Sequence, residues 1–209
     1  MWPHFEGERW SKVIDQLADE HWVVIDGALP HSTLELCISE FNKQEREGEL
    51  HKAAIGSFES ETRVDNIRTD WIYWLDRARD AHLEPFFSGI DHLREALARE
   101  LFLSLNGYEF HFAKYPIGAF YKPHLDQLSH RDNRMISFVL YLNEDWQVGD
   151  GGELRISRPT KALVQPIFNR LVLFRSDTVL HEVLPAHKPR RSLTGWLLKQ
   201  PSNIGILGI

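Results

Sequence analysis

The sequence predicts an α+β fold, in which helices from the first half pack on one side of a β-sandwich or jelly roll formed by the second half. Apolar residues recur at helical spacing up to about residue 104. From residue 108, short segments alternate apolar and polar side chains and are separated by turn residues. We therefore expect a single domain over residues 1–209, with a helical support region over about 1–104 and a β core over about 105–200.

Helices in the first half are predicted from the spacing of apolar side chains. Residues 21–27 predict a short buried strand, and residues 48–70 carry many charges without a clear period, which predicts a surface loop or a mobile lid. In the third helix, Leu101 and Phe102 are expected on the apolar face. The helices are predicted over residues 8–20, from a cap at Ser32 or Thr33 to about Glu47, and over about residues 88–104.

Strands in the second half are predicted from alternation of apolar and polar residues. Phe110 and Phe112 are expected on one face of the first strand, and His111, Ala113 and Tyr115 on the other. The strands are predicted over residues 108–115, 136–143, 153–156, 171–174 and 192–198.

Composition excludes several classes of protein. The formal net charge is −6 and the pI is about 6.0, so there is no overall positive field to attract nucleic acid or an anionic membrane. Cys37 is the only cysteine, which excludes an intrachain disulfide. No apolar stretch approaches the roughly 20 residues that span a bilayer, and the N-terminus lacks the features of a signal peptide. We expect a cytoplasmic protein without a membrane partner.

Two His-x-Asp matches are candidate metal ligands. His124 and Asp126 follow a strand-like segment, whereas His130 and Asp132 lie in a polar run that predicts a surface turn. Positions i and i+2 of a strand face the same way, so His124 and Asp126 could present an imidazole and a carboxylate to one cation. With His181 they form the ligand set that holds Fe(II) and leaves coordination positions open. Zn(II) fits the same three ligands, so the ligands alone do not fix the metal.

An arginine near the C-terminal strand is a candidate anchor for an acid. Arg190, Ser192, Thr194 and Trp196 share one face by the strand period, which predicts the wall of a polar pocket. A buried guanidinium needs a partner, and a carboxylate suits it best. The partner could be an acid cosubstrate, or Arg190 or Arg191 could form a salt bridge to a carboxylate of the protein.

Three tyrosines are further candidates for the same pocket. In the strand 136–143, Tyr141 shares a face with Ser137 and Val139, and a phenol that faces inward needs a hydrogen-bond partner. Tyr115 and Tyr121 are similar cases, and for each of these an ordinary core or rim tyrosine is the alternative.

Residues from about 113 to 198 resemble the prolyl 4-hydroxylase-type 2-oxoglutarate/Fe(II) dioxygenases, especially the hypoxia-type prolyl hydroxylases and their bacterial relatives. The helical half, with VVIDGAL (23–29) and NIRTDWIYW (66–74), is similar to these proteins in order and spacing but less specific. The segment between Tyr115 and His124 is one residue shorter than in the animal enzymes. The matching stretches are KYPIGAFYKPHLD (114–126), ISFVLYLNEDW (136–146), GGELRI (151–156), NRLVLFRSD (169–177) and HEVLPAHKPRRSLTGW (181–196).

This resemblance implies a double-stranded β-helix (jelly-roll) core with N-terminal helices packed on one sheet. It implies Fe(II), 2-oxoglutarate and O2 as cofactors and cosubstrates, with ascorbate as a further cofactor, and a mobile loop at about residues 50–68. Tyr115 would lie near the cosubstrate and substrate end of the pocket. By the same resemblance, iron is held by His124, Asp126 and His181, the distal carboxylate of 2-oxoglutarate is bound by Arg190 and Tyr141, and the site is lined by Tyr121, Thr194 and Trp196.

The implied reaction is C4 hydroxylation of a proline in a protein or peptide partner, with release of succinate and CO2. Three alternatives remain open from the sequence: a 2-oxoglutarate oxygenase acting on a free amino acid or other small metabolite, a non-catalytic cupin-like binding module, and a Zn(II) hydrolase. A DNA-repair dealkylase is disfavoured by the acidic net charge. The oligomeric state cannot be read from the sequence.

Overall fold

The computed structural model describes residue 2 and residues 7–53, 67–127 and 132–200. Helices dominate the first half and strands the second, as the sequence predicts. A single 3-10 turn, Ala81–Leu83, precedes the third helix. The elements, numbered in chain order, are α1 (Gly7–Asp19), β1 (Trp22–Asp26), α2 (His31–Glu47), β2 (His51–Lys52), β3 (Trp71–Trp74), α3 (Glu84–Glu100), β4 (Gly107–Tyr115), β5 (Tyr121–His124), β6 (Arg134–Tyr141), β7 (Leu154–Arg158), β8 (Ala162–Val164), β9 (Arg170–Arg175), β10 (Leu180–Val183) and β11 (Arg190–Leu198).

The strands form two antiparallel sheets. The larger sheet has the order β1-β9-β6-β11-β4-β3-β2, and the smaller has the order β5-β10-β7-β8. β11 lies between β4 and β6, where Arg190 is opposite Tyr115 and Ser192 is opposite Tyr141. This register brings polar side chains that are far apart in the sequence to one end of the larger sheet.

The helices pack on one face of the larger sheet and form the main apolar core with it. Phe110 and Phe112 of β4 and Leu193 and Leu197 of β11 contribute to this core, together with buried helix residues such as Phe86. Phe86, Phe110 and Phe138 meet edge to face, with ring centroids 5.2 and 5.3 Å apart along the series. The opposite face of the sheet turns towards the smaller sheet, so the predicted jelly-roll fold with helices on one sheet is confirmed.

The third helix is displaced from its predicted position. It begins at Glu84 rather than 88, because Pro85 lies in its first turn, where a missing backbone N–H costs nothing. It ends at Glu100, and Phe102 follows in the left-handed region with φ of 53°. The prediction that Phe102 lies on the apolar face is wrong, since its side chain is 94% exposed.

Several short strands are not apparent in the sequence. β2, β3, β8 and β10 have two to four residues each, which is too few to show a period, whereas β5 corresponds to the strand-like segment predicted before His124. β2 lies within the segment 48–70 that was predicted as a loop or lid, and residues 54–66 of that segment lie outside the described residues. Asp132 is exposed in a turn, as predicted, whereas His130 also lies outside the described part of the chain.

Within the described ranges, none of the helices is long and apolar enough to cross a membrane.

Candidate active site

His124, Asp126 and His181 converge between the two sheets. β5 pairs with β10 so that His124 and His181 are directly opposite each other. The ligand atoms of the three residues lie within 4.8 Å of one another. β5 ends at His124, so Asp126 lies past the strand rather than on it, and the expectation that the strand period aligns the two side chains is wrong in that detail. The chain nevertheless brings all three residues together.

Backbone carbonyls fix which nitrogen of each histidine faces the cluster. Nδ1 of His124 donates to the carbonyl oxygen of Lys122 at 2.7 Å, and Nδ1 of His181 donates to that of Val179 at 3.1 Å. Because a carbonyl oxygen only accepts, Nδ1 carries the proton and Nε2 presents its lone pair. The two Nε2 atoms lie 3.4 and 3.8 Å from Oδ1 of Asp126.

Asp126 is held as a carboxylate. Its Oδ2 accepts a hydrogen bond from Ser137 Oγ at 2.6 Å, and Ser137 in turn lies 2.8 Å from Ser176 Oγ. Burial alone would raise the pKa of Asp126, but His181, His124 and Ser137 outweigh it and hold the pKa below its usual value. Burial lowers the pKa of His181 to about 4.

This donor set fits a divalent cation. When both imidazoles are neutral, three acceptor atoms, two imidazole nitrogens and one carboxylate oxygen, lie within 4.8 Å of one another. Such an arrangement is repulsive unless a cation lies at its centre, and the mixed nitrogen and oxygen set suits Fe(II). Hydrogen bonds from the Nδ1 atoms and from Ser137 provide the outer contacts that orient the ligands of a metal site.

Arg190 is a buried cation on the face of β11 that turns towards the smaller sheet. It is 2% exposed, its Nε donates to the carbonyl oxygen of Gly152 at 3.0 Å, and its Nη1 lies 3.3 Å from Ser192 Oγ. The guanidinium lies 4.7 Å from the ring centroid of Tyr115 and 4.9 Å from that of Tyr141. No carboxylate of the described residues forms an ion pair with it, which is costly for a buried charge.

The neighbouring Arg191 forms an ordinary structural ion pair with Glu45. Its Nη2 lies 2.7 Å from Oε2 of Glu45, and its Nη1 donates to Asn42 at 3.1 Å, both on α2. Of the two roles predicted for these arginines, the salt bridge to a carboxylate of the protein is therefore found at Arg191. Arg190 is left with a charge that an acid ligand would neutralise.

The tyrosines predicted near this arginine lie beside it. The hydroxyl of Tyr141 is fully buried and has no partner of hydrogen-bond geometry among the described residues. Burial raises the pKa of Tyr141, and the positive charge of Arg190 opposes that rise. Burial also raises the pKa of Tyr115. Thr194 adds a hydroxyl to the same face, 3.2 Å from Ser192 Oγ.

The remaining two predicted residues lie at either side of the cluster. The ring of Tyr121 stacks on that of His124, with centroids 3.6 Å apart and an angle of 18° between the planes. Trp196 is opposite Ser137 in the register of β11 and β6, and it stacks on His111 at 5.4 Å. Arg134 lies over the indole of Trp196, 3.4 Å from the ring.

Sequence reasoning missed several residues at this site. Arg68 and Asp70 form a buried ion pair next to Tyr121, but they lie in a charged segment without a period. His111 was placed on the correct face of β4 but was not recognised as part of the site. Trp74 packs against His111 at 4.8 Å. Only the strand order β11-β4-β3 could have indicated these neighbours, and β3 was not predicted.

Comparison with known proteins agrees with this geometry. Residues 110–198 match the model of the 2OG-Fe(II) oxygenase superfamily. The chain is 39% identical to a prolyl-4-hydroxylase from Pseudomonas putida of known structure, covering 90% of this chain and 97% of that chain, with a TM-score of 0.79. The chain belongs to the 2-oxoglutarate/Fe(II)-dependent oxygenases of the prolyl 4-hydroxylase type.

Other members of this family are also similar. A prolyl hydroxylase from Trichoplax adhaerens, solved with a peptide fragment of the hypoxia-inducible factor oxygen degradation domain, is 26% identical over 90% of this chain and 88% of that chain, with a TM-score of 0.80. The hypoxia-inducible factor prolyl hydroxylase of Caenorhabditis elegans is 30% identical over 89% of this chain. The chain spans 28% of that protein and 45% of mouse Egl nine homolog 1. The predicted family and its cofactors, Fe(II), 2-oxoglutarate and O2, are confirmed.

Proposed function

We propose that this protein is a 2-oxoglutarate- and Fe(II)-dependent prolyl 4-hydroxylase that acts on a proline in a protein or peptide. The observation that carries the proposal is the buried guanidinium of Arg190, which has no acidic partner among the described residues and lies on the face of the larger sheet turned towards β5 and β10, the strands that carry His124 and His181. A buried charge without a counter-charge and a buried cluster of metal-ligand side chains each cost free energy, so their presence together favours an enzyme over a non-catalytic binding module.

The three residues of the cluster would hold iron, with the two imidazoles and the carboxylate of Asp126 as the donor groups. Arg190 and the Tyr141 hydroxyl bind the distal carboxylate of 2-oxoglutarate, which supplies the missing negative charge and the missing hydrogen-bond partner together. When bound, iron and 2-oxoglutarate activate O2 for hydroxylation of a C–H bond and leave succinate and CO2. The protein orients these groups, with the ring of Tyr115 beside the guanidinium of Arg190 and the hydroxyl of Thr194 beside that of Ser192.

Aromatic side chains near the cluster support a proline-bearing substrate. Tyr121 stacks on His124, Trp196 lies opposite Ser137, the residue that donates to Asp126, and the exposed Trp74 lies 6.3 Å from Trp196. Flat aromatic surfaces pack well against proline-containing peptides. The Trichoplax adhaerens relative, named as a complex with a peptide fragment, supports a protein or peptide partner for this chain as well.

Four further predictions rest on the sequence and family alone. We propose a cytoplasmic location, the use of ascorbate as a further cofactor, and a single catalytic domain over residues 1–209. The acidic net charge of −6 supports a partner other than nucleic acid.

The reaction is tested with a library of synthetic peptides that each carry one proline in varied flanking sequence, and a matched library with alanine in its place. With Fe(II), 2-oxoglutarate and O2, we expect a gain of one oxygen atom on proline, formation of succinate in equal amount, and neither product from the alanine library or with the His181→Ala variant. Turnover of 2-oxoglutarate coupled only to free amino acids would overturn the peptidyl assignment. Absence of 2-oxoglutarate turnover with any substrate would overturn the enzyme class.

A further inference from the structure

Arg68 and Asp70 form a buried ion pair that the proposed reaction does not use. Nε and Nη2 of Arg68 donate to the two oxygens of Asp70 at 2.8 and 2.6 Å, and the Asp70 side chain is fully buried. Burial disfavours the charged guanidinium, but the adjacent carboxylate outweighs it and the pKa of Arg68 is raised. A buried pair of this kind contributes little to stability compared with apolar residues, so its value lies in the geometry that it imposes.

The guanidinium of Arg68 lies over the ring of Tyr121, 4.6 Å from the centroid. The other neighbour of that ring is the imidazole of His124, stacked at 3.6 Å. Tyr121 is therefore held between a cation that is itself fixed by Asp70 and a residue of the metal cluster. A cation over an aromatic face is attractive, particularly away from water.

Backbone hydrogen bonds fix the register of this arrangement. Lys122 N donates to the carbonyl oxygen of Ile67 at 2.9 Å, and Thr69 N donates to that of Phe120 at 3.2 Å. Thr69 Oγ1 also accepts from Phe120 N at 3.0 Å, and Arg68 and Tyr121 form an isolated β-bridge. Residues 67–70 thus form a short extended segment that is hydrogen-bonded to the edge of β5, and this pairing places Arg68 opposite Tyr121.

We propose that Arg68 and Asp70 are positioning residues for His124. Asp70 fixes the guanidinium, the guanidinium fixes the Tyr121 ring, and this ring sets the rotation of the imidazole about its Cβ–Cγ bond. The hydrogen bond from Nδ1 to Lys122 O fixes the same imidazole from its other side. The inference rests on the proposed function, because it takes His124 as an iron ligand. The ring face of Tyr121, rather than its hydroxyl, is the part that acts.

The test measures metal affinity rather than turnover. The dissociation constant of Mn(II), a redox-inert substitute for Fe(II), is determined by competition with a chelator for the wild type and for Arg68→Met, Tyr121→Leu and Tyr121→Phe. Outer contacts of metal ligands contribute about 10- to 100-fold to affinity, so we expect Arg68→Met and Tyr121→Leu to weaken Mn(II) binding at least tenfold. Tyr121→Phe keeps the ring and is expected to bind Mn(II) as the wild type does.

Arg77→Met is the matched control. Arg77 is also ion-paired, to Glu84 and Asp91, and lies 5.9 Å from the ring centroid of Phe87, on the helical side of the protein. The same chemical change there is expected to leave the Mn(II) dissociation constant unchanged. If Arg68→Met does not fold, Arg68→Lys retains the charge but loses the planar two-point contact, and it is expected to weaken Mn(II) binding in the same direction.

A double-mutant cycle separates positioning from general destabilisation. If Arg68 acts through Tyr121, the two substitutions remove the same interaction. The Arg68→Met/Tyr121→Leu variant is then expected to bind Mn(II) no more weakly than whichever single variant has the lower Mn(II) affinity. The inference would be overturned if the two substitutions raised the Mn(II) dissociation constant independently, so that their fold-changes multiplied in the double variant, or if Arg68→Met had the wild-type dissociation constant. Either result would leave the proposed function intact. Failure of the wild type to bind Mn(II) or Fe(II) would instead overturn the proposed function itself.

Discussion

The two faces of the seven-stranded sheet are both partly apolar, but they differ sharply along β11, which builds part of each. On the helix side, Leu193 and Leu197 of β11 pack into a continuous apolar core. On the other side, Arg190, Ser192 and Thr194 of the same strand line the cavity beside the metal cluster. The apolar face supplies the free energy that holds the strands in register. The polar face retains groups without partners, as expected where a ligand completes the structure.

Arg190 and Arg191 show this contrast at adjacent positions. Arg191 points to α2, where its guanidinium donates hydrogen bonds to Glu45 and Asn42. Arg190 points into the cavity, where only neutral groups contact it in the described part of the chain. The comparison teaches that burial and pairing must be considered together: Arg190 is 2% exposed and has no counter-charge among the described residues, which indicates a binding site, whereas the Arg191 side chain is 35% exposed and its charge is paired with Glu45.

The largest effect is expected on the polar face, at the cluster itself. His181→Ala removes one of three ligand atoms, so Mn(II) binding is expected to weaken by more than about 100-fold, beyond what outer contacts contribute. Turnover of 2-oxoglutarate should fall to background. His187→Ala, which alters an exposed histidine that contacts Gly149, is the control. Wild-type Mn(II) binding by His181→Ala would refute the assignment of this ligand.

On the apolar face, the expected effect is on stability. Leu193 is completely buried, so Leu193→Ala is expected to lower the free energy of unfolding by about 2–5 kcal/mol, measured by urea denaturation. The exposed Leu163→Ala should change it by less than about 0.5 kcal/mol. At temperatures where Leu193→Ala remains folded, we expect its Mn(II) affinity to be unchanged. A loss of metal affinity without a loss of stability would show that the two faces are not separable in this way.

His111 on the cavity side predicts a pH dependence of stability. Burial lowers its pKa from 6.5 to about 3, so the unfolded chain takes up a proton first as the pH falls. Stability is therefore lost below about pH 6.5, by up to about 1.4 kcal/mol per pH unit for this residue. His111→Phe should flatten the curve of unfolding free energy between pH 6.5 and 4, whereas Leu163→Ala, at an exposed residue that does not titrate, should leave its slope intact. An unchanged slope in His111→Phe would contradict the burial argument.

A smaller effect is expected at Tyr141. Its buried hydroxyl lacks a partner in the described residues, so Tyr141→Phe should leave the stability of the ligand-free protein unchanged or slightly increased. The loss of one hydrogen bond of about 1 kcal/mol should raise the dissociation constant of 2-oxoglutarate about fivefold. Tyr108→Phe, at a hydroxyl bonded to Arg77, is the control. A marked loss of stability in Tyr141→Phe would mean that the hydroxyl has a structural role.

The parts of the fold that could be predicted are those long enough to show a period. β4, β6 and β11 have eight or nine residues each, and their two faces were assigned correctly. β5 and β10 have four residues each, so the pairing that sets His124 opposite His181 was not visible. The ligands were identified from residue types and from family resemblance instead. Arg68 was missed because it meets Tyr121 only after the chain has folded back across 53 positions (121 − 68).

The difference between the two neighbouring arginines is tested most directly by the affinity for 2-oxoglutarate of the Mn(II)-loaded protein, measured by calorimetry without O2 for Arg190→Met and Arg191→Met. Removing one partner of a buried charge pair costs about 2–5 kcal/mol, so we expect Arg190→Met to bind 2-oxoglutarate at least about 30-fold more weakly than the wild type, with Mn(II) binding intact. Arg191→Met should bind 2-oxoglutarate as the wild type does. Equal 2-oxoglutarate affinity in Arg190→Met and the wild type, or a larger loss in Arg191→Met, would contradict the account.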